Sequence, residues 1–515
     1  MRKLFALVLT LCLLASTLCV TAFATEPPAA GVVLRISGQM KGGDQVVVIK
    51  DSNNFKNGWN DAMDQAQKAK KNGYDRIIVD LYADWTAVGG EFSSDLRGGA
   101  GFAWDTILFP ANVHVTLNMN GHTIDRAMTT WEYNGEVMCV DPNADVIINN
   151  GTIKGGYSCN GAGGIHIQDD ANLVLNNVNV VGNHVDDDDG AAIAVYDGAS
   201  LTMNGGSISN NISHGSTYAV YGGGVYVEDA KATFKDVTFE NNESKKRATH
   251  GGVVYADNST LVMENCKVIG NGKEGIGAYT IIHITNTSHA TMKNTKFLNN
   301  GIGYEAQVNL NTVGYTSVIH STASYITMEK CTFTDNNQVY LITSEASRWD
   351  VTDSFFTGNN SFAFFGNSAS AYNSTFTNCR FGYNEPMLGL KHTFFFNINC
   401  PTLSFVDCDF GEATFNDPSR ANFVKTEGKQ EDPTDPPAET TPDEDPSGET
   451  MPAEDPNGEI IPVETPEGED PPVGTILASG SVPMVVALAA LAASAAALVI
   501  ALKSRKETAK TESEE

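Results

Sequence analysis

The sequence predicts an all-β solenoid, a parallel β-helix of about eleven coils, on three observations. The first is repetition. A half-polar phrase returns about every 29 residues, as "TMNGGSISNN" from Thr202, "TFKDVTFENN" from Thr233, "VMENCKVIGN" from Val262, "TMKNTKFLNN" from Thr291 and "TMEKCTFTDN" from Thr327. Such a period marks a solenoid or a propeller, and a propeller blade needs four strands and about 40 residues or more. The second is alternation. Each phrase reads apolar-polar-apolar, breaks, and repeats, which is the period of a strand with one buried face. No helical stretch separates the phrases.

The third observation is that the phrases align in columns. The apolar residues that open them are Leu117, Val146, Leu173, Leu201, Ala232, Leu261, Ala290, Ile326, Trp349, Ser374 and Leu403. Seven positions on stand Ile124, Ile153, Val180, Ile208, Phe239, Val268, Phe297, Phe333, Phe356, Phe381 and Phe410. Stacked at the strand spacing of about 4.8 Å, these form an inner ladder that turns aromatic toward the C-terminus. Three positions further come Asn183, Asn211, Asn242, Asn271, Asn300, Asn336, Asn359 and Asn384. An asparagine ladder suits a turn, where amides bond from coil to coil and the residue tolerates a left-handed backbone.

Cysteine falls into the same frame. Five positions after the opener sit Cys266, Cys331, Cys379 and Cys408, beside Gly151, Val178 and Gly206, so this column faces inward and is small. Cys379 and Cys408 lie on adjacent coils, close enough for a disulfide, whereas Cys266 and Cys331 do not. Cys139, Cys159 and Cys400 complete an odd, scattered set without zinc-ligand spacing, so the cysteines are no disulfide scaffold.

The flanking segments are read in order. Residues 1–24 form a secretory signal: Arg2 and Lys3, an apolar run from Leu4 to Val20, and an Ala22-Phe23-Ala24 cleavage site. Residues 25–110 form an N-terminal cap with the first strands. In "GWNDAMDQAQKAKKNG", Trp59, Ala62, Met63, Ala66 and Ala69 share one helical face, and Asn72-Gly73 stops the helix. A solenoid needs its open end covered. Four of the five tryptophans precede Met138, and packing under the cap is expected of Trp85 and Trp104, with sugar stacking the alternative. The β-helix spans 111–424.

From 425 to 473, prolines alternate with carboxylates and the phrases "DPSGE", "DPNGE" and "TPEGE" recur. With so little apolar matter the segment is predicted to be a disordered stalk, on the order of 150 Å at full stretch. Within 474–502, the uncharged run Val482 to Leu502 is long enough to span a bilayer. Lys503, Arg505 and Lys506 then place the tail, 503–515, in the cytoplasm. The expectation is a single-pass membrane protein with its head outside the cell. A net charge of −29 argues against nucleic acid and anionic lipid as partners.

Two charged clusters on the head are candidate sites. Asp186, Asp187, Asp188 and Asp189 supply hard oxygen ligands for calcium, with a solvated acidic corner as the alternative. Lys245, Lys246 and Arg247, with His250 nearby, offer a contact for an anionic glycan. Asp169-Asp170 reads as turn chemistry. "HTFFFN" from His392 and "FAFFGN" from Phe362 read as core packing, with glycan platforms as the alternative. The glycine runs "GAGGIHI", "YGGGVYV" and "HGGVVYA" lack the strand-loop-helix context of a phosphate loop.

With the ladders, "LNMNGHTIDR" from Leu117 and "YGGGVYV" from Tyr221, about 300 residues resemble right-handed parallel β-helices of the pectin lyase-like superfamily. More narrowly they resemble surface-anchored members from Gram-positive bacteria and, in the glycine and Asn-Asn phrases, polymorphic outer-membrane proteins. The resemblance implies the fold and leaves the activity open, since this fold carries lyases, hydrolases and non-catalytic adhesins alike. No phrase matches the superfamily's catalytic Gly-His-Gly or Arg-x-Lys patterns. The expected role is a non-catalytic adhesin, a rod binding an extracellular glycan or surface protein. A surface-bound polysaccharide lyase or hydrolase, with calcium as its cofactor, is the alternative.

Overall fold

The computed structural model describes residues 28–426, apart from 44, 89–105, 215–220, 245–250, 273–279, 302–316, 338–339, 360–362, 368–372, 383–394, 398–402, 412–413 and 416–417. The signal, the stalk, the Val482–Leu502 run and the Lys245–Arg247 cluster therefore lie outside the described residues, whereas the phrases at Phe362 and His392 are described as strands over Ala363–Asn367 and Phe395–Asn397. Among the described residues no helix is long and apolar enough to cross a membrane.

The chain winds an all-β parallel solenoid with little helix. Its phrases build a 23-stranded sheet, the segments between them a twelve-stranded sheet, and a four-stranded sheet covers part of the third side. From Val146 onward the predicted openers pair coil to coil, as in Leu173↔Leu201, Ala232↔Leu261 and Ile326↔Trp349. The first differs. Val146 pairs with Val115, not Leu117, because the corner at Gly121-His122 carries two extra residues before Ile124 rejoins Ile153.

The inner ladder forms as predicted. Phe297, Phe333, Phe356 and Phe381 are fully buried and stack with centroids 4.4, 4.8 and 5.2 Å apart, and Phe410 continues the stack at 5.5 Å. Each buried ring contributes about 1.5–3 kcal/mol through area removed from water.

The asparagine ladder forms too, and it is buried from Asn183 to Asn359. Each amide nitrogen donates forward to the next amide oxygen and backward to a carbonyl. Asn271 Nδ2, for example, reaches Asn300 Oδ1 and Phe239 O, both at 3.0 Å. The backbone N–H of each ladder residue donates to the same forward oxygen, as Asn242 N does to Asn271 Oδ1 at 2.9 Å. The left-handed residue is the one before the ladder: Gly182, Asn210, Asn241, Gly270, Asn299, Asp335 and Gly358. That division explains the Asn-Asn pairs, one residue bending the chain and the next filling the corner.

A second left-handed column, Asn150, Asn177, Asp236, Asn265, Asn294, Lys330, Asp353, Asn378 and Asp407, precedes the small column. Asp170, Asp229 and Asn258 are left-handed at a third corner, which places Asp169-Asp170 in a turn. In the small column the thiols donate to the preceding coil's carbonyls, Cys266 to Phe234 O at 3.5 Å and Cys331 to Met292 O at 3.4 Å. Thr295 Oγ1 fills the same place, donating to Met263 O at 3.3 Å. Cysteine here is a weak hydroxyl substitute rather than a reactive group, and burial pushes the Cys266 thiol up to about 11. Cys379 and Cys408 are both free thiols, and each also donates to a carbonyl, of Val351 and Phe376 respectively.

At the N-terminal end, strand β1 (Leu34–Met40) pairs antiparallel with β2 (Val46–Ser52) and β3 (Tyr74–Leu81), and β3 pairs in parallel with His114–Asn118. Helix α1 (Phe55–Asn72) starts three residues before the predicted Gly58, where Asn54 caps it by accepting from Asn57 N. Its apolar face, Trp59, Ala62, Met63, Ala66 and Ala69, is buried as predicted. Trp59 meets Phe109 edge-on at 5.2 Å, and Phe55 stacks on Trp85 at 4.7 Å. Trp104 lies outside the described residues.

Candidate functional site

The short sheet begins one residue past the asparagine ladder. Its strands are Tyr157–Ser158, His184–Val185, Ile212–Ser213 and Glu243–Ser244. They are parallel and in register, with Tyr157↔His184, His184↔Ile212 and Ile212↔Glu243. Ser158, Val185 and Ser213 are buried, whereas Tyr157, Cys159, His184, Asp186, Ile212 and His214 are half-buried. Strand alternation thus turns the second set outward. Tyr157 lies against His184 and His214 at 5.2 and 5.4 Å, and the two imidazoles meet through a 2.8 Å Nδ1···Nε2 hydrogen bond.

The loop before Val137 extends this face. Glu132 bridges Ser158 in parallel, with Glu132 N donating to Tyr157 O and Cys159 N to Glu132 O. Trp131 and Tyr133, on either side of it, are 54% and 58% exposed. Trp59 and Trp85 are buried at the N-terminal end, as expected of Trp85, whereas Trp131 presents its ring to solvent. Together these residues make a strip of rings along the rod axis.

A second strip runs on the twelve-stranded sheet. His166, Ala194, Tyr226, Tyr255, His283 and His320 are in register on successive strands. Tyr226 and Tyr255 stack at 5.6 Å, Tyr196 and Tyr221 lean on them, and His283 meets His320 edge-on at 4.6 Å. Both central tyrosines are buried. The sequence carried this signal in "GIHI", "GVYV", "VVYA" and "IIHI", where a ring stands third in each short apolar phrase. Gly222 in one such run is left-handed at φ 65°, and a Cβ there would strike the Val225 carbonyl.

The four aspartates sit between the strips. Asp187 is left-handed at φ 56°. Asp188 accepts from Gly161 N at 2.7 Å and from Asp189 N at 2.8 Å, and Asp189 accepts from Tyr221 N at 2.7 Å. These carboxylates therefore tie together the coils on either side. Among the described residues, no group of three or more His, Cys, Asp or Glu side chains is arranged to hold a metal ion.

Burial pushes the Asp189 carboxyl up to about 8, against the stabilising Tyr221 N–H, and Asp188 and Glu228 also rise through burial. Burial raises Tyr157, Tyr196, Tyr221, Tyr226 and Tyr255, and the carboxylates Asp186, Asp188, Asp189, Glu228 and Asp257 add to the rise. The Glu228 charge also raises Asp189, so the two carboxyl groups share one tyrosine-lined face. His166 stands against Tyr196 on that face, at 5.1 Å.

Comparison with known proteins bears on the fold. Residues 113–281 match the family model described as a right handed beta helix region. No curated protein has a significantly similar sequence. A solved structure of the enzymatically active domain of bacteriophage CBA120 tailspike protein 2 aligns at 13% identity and a TM-score of 0.30. That alignment covers 54% of this chain and 42% of the tailspike chain. The match over residues 113–281 agrees with the parallel β-solenoid that the structure shows there.

Proposed function

We propose that this protein is a cell-surface rod that binds an extracellular glycan, or a glycan-bearing surface protein, along the strip from Trp131 to His214. In this reading the rod has about eleven coils. The N-terminal helix and strands cap it, the acidic stalk lifts it off the membrane, and 474–502 anchors it.

The observation that carries the reading is the exposed Trp131–Tyr133 pair, registered by Glu132 beside Tyr157, His184 and His214. Rings with free faces stack on sugars, and nearby amides and carboxylates accept from sugar hydroxyls. The strip sits on strands whose backbones are pinned coil to coil, so binding orders little new chain. Calcium at Asp186–Asp189 and an anionic-glycan contact at Lys245–Arg247 are subsidiary proposals, the first drawn from the density of carboxylates and the second from the sequence alone.

A second reading, cleavage of the glycan, is favoured by Asp189. A carboxyl group that stays protonated near neutral pH can donate a proton to a leaving oxygen, and Glu228 is a carboxylate on the same face.

A glycan array probed with the purified full-length chain, with and without a calcium chelator, tests both. The wells would also be read for new reducing or unsaturated ends. Binding without product, weakened at least tenfold in Trp131→Ala, is expected, as about 1.4 kcal/mol corresponds to tenfold. Product that disappears in Asp189→Asn replaces binding with hydrolysis. Loss of binding on chelation assigns calcium a role at the aspartates.

A further inference from the structure

We propose that His184 and His214 form a binding site for a borderline divalent transition metal such as zinc, cobalt or nickel. The two residues sit on adjacent coils, and their ring nitrogens face one another, His184 Nδ1 to His214 Nε2 at 2.8 Å. The rings are nearly parallel, 12° apart, with centroids separated by 5.1 Å, so the nitrogens meet edge to edge. In the neutral pair one nitrogen carries the shared proton and the other accepts it. A metal ion takes the place of that proton.

The geometric change needed is a reorientation of the two rings. Zinc–imidazole bonds of about 2.0–2.1 Å seat one ion on both nitrogens once they stand about 3.2 Å apart, at a tetrahedral angle near 100°. Opening from 2.8 Å and swinging each lone pair about 40° off the N···N line takes a rotation of both rings about χ1 and χ2, the second a torsion that is broad for histidine. The backbones need not move. His184 N donates to Gly156 O and His214 N to Val185 O, each at 2.8 Å, so the solenoid ladder holds both residues in place.

The surroundings suit a cation. Asp186 shares the outward face, one strand alternation past His184, and acts electrostatically on Tyr157, the ring that lies against both histidines. A carboxylate at that range offsets the charge of the ion and is the nearest candidate for a third ligand, with water completing the shell. Imidazole nitrogen sets the preference. Calcium and magnesium take oxygen donors, so this site would not compete for them. It shares only Asp186 with the proposed aspartate calcium site, and its two nitrogen donors set it apart in metal preference.

The test titrates metal-stripped full-length chain with Co²⁺, reading visible absorption, and with Zn²⁺ by calorimetry. One equivalent should bind saturably, and His184→Gln and His214→Gln should each weaken binding at least tenfold. His289→Gln should not. His289 stacks on Tyr325 at 5.0 Å and is an equally placed ring on another strand. Zinc should also slow diethylpyrocarbonate modification of His184 and His214 in the unmutated chain, a readout that needs no variant to fold. No saturable binding, or binding unchanged in both variants, overturns the proposal.

Discussion

Asn211 and Ile212 are neighbours in the chain, as are Asn183 and His184, yet each pair spans two regions built on opposite principles. The asparagine column is buried, the same residue recurs in every described coil from Asn183 to Asn359, and each amide completes the next. One residue on, the outward column reads Tyr157, His184 and Ile212, all half-buried, before it reaches the buried Glu243. A buried polar group must be satisfied, and in a stack of equal coils the cheapest partner is a copy of itself. An outward position has water as a partner and is free to vary. Identity down a column therefore marks structure, and departure from identity marks where the surface was shaped for something else.

The largest effect that can break this comparison falls on the inner column. Asn211→Ala removes the acceptor of Asn183 N and Nδ2 and the donor to Val180 O at 3.0 Å. Buried groups are then left unpaired, and the loss should be about 3–5 kcal/mol in denaturant unfolding of the full chain. His184→Ala, in the outward column, should change stability by only about 0.5 kcal/mol. If the two cost the same, the distinction between columns fails.

Asp189 sharpens the comparison with pH. Its folded value, about 8, lies above the usual carboxylate range because burial penalises the charge. The folded state therefore holds a proton that the unfolded state releases near pH 4, and stability falls as pH rises from about 4 to 8, then levels. Asp189→Asn keeps an oxygen for Tyr221 N and removes this titration. Thermal melts of the two proteins should converge at low pH and separate toward pH 8, the variant being the more stable there.

How far the sequence revealed all this follows the same divide. The phenylalanine and asparagine ladders were legible because a column repeated every coil outlasts variation in loop length. The first opener was misplaced by two residues because Gly121-His122 lengthens one corner without disturbing the apolar pattern on either side. The bend was assigned to the ladder asparagine instead of its predecessor, since an Asn-Asn pair gives both the same letter. The outward strips escaped. Trp131 and Tyr133 join the short sheet through the backbone of Glu132 alone, and no side-chain pattern reports a backbone bridge. The rings at Tyr226, Tyr255, His283 and His320 did recur at one place in successive strands, but the glycine runs before Tyr226 and Tyr255 drew the reading toward turns.

The smallest predicted effect concerns the column where repetition is chemical rather than literal. Cys331 donates to Met292 O in one coil, and Thr295 donates to Met263 O in the coil before it. If the column asks only for a small inward donor, Cys331→Ser should cost less than about 1 kcal/mol, since the hydroxyl restores the bond that the thiol made. Cys331→Val keeps the bulk and removes the donor, leaving a buried carbonyl with one partner fewer, and should cost more than the serine. Urea unfolding of the two variants separates the cases. The reverse order would mean that the column selects sulfur for its volume and apolar character, and that its hydrogen bonds are incidental to the fold.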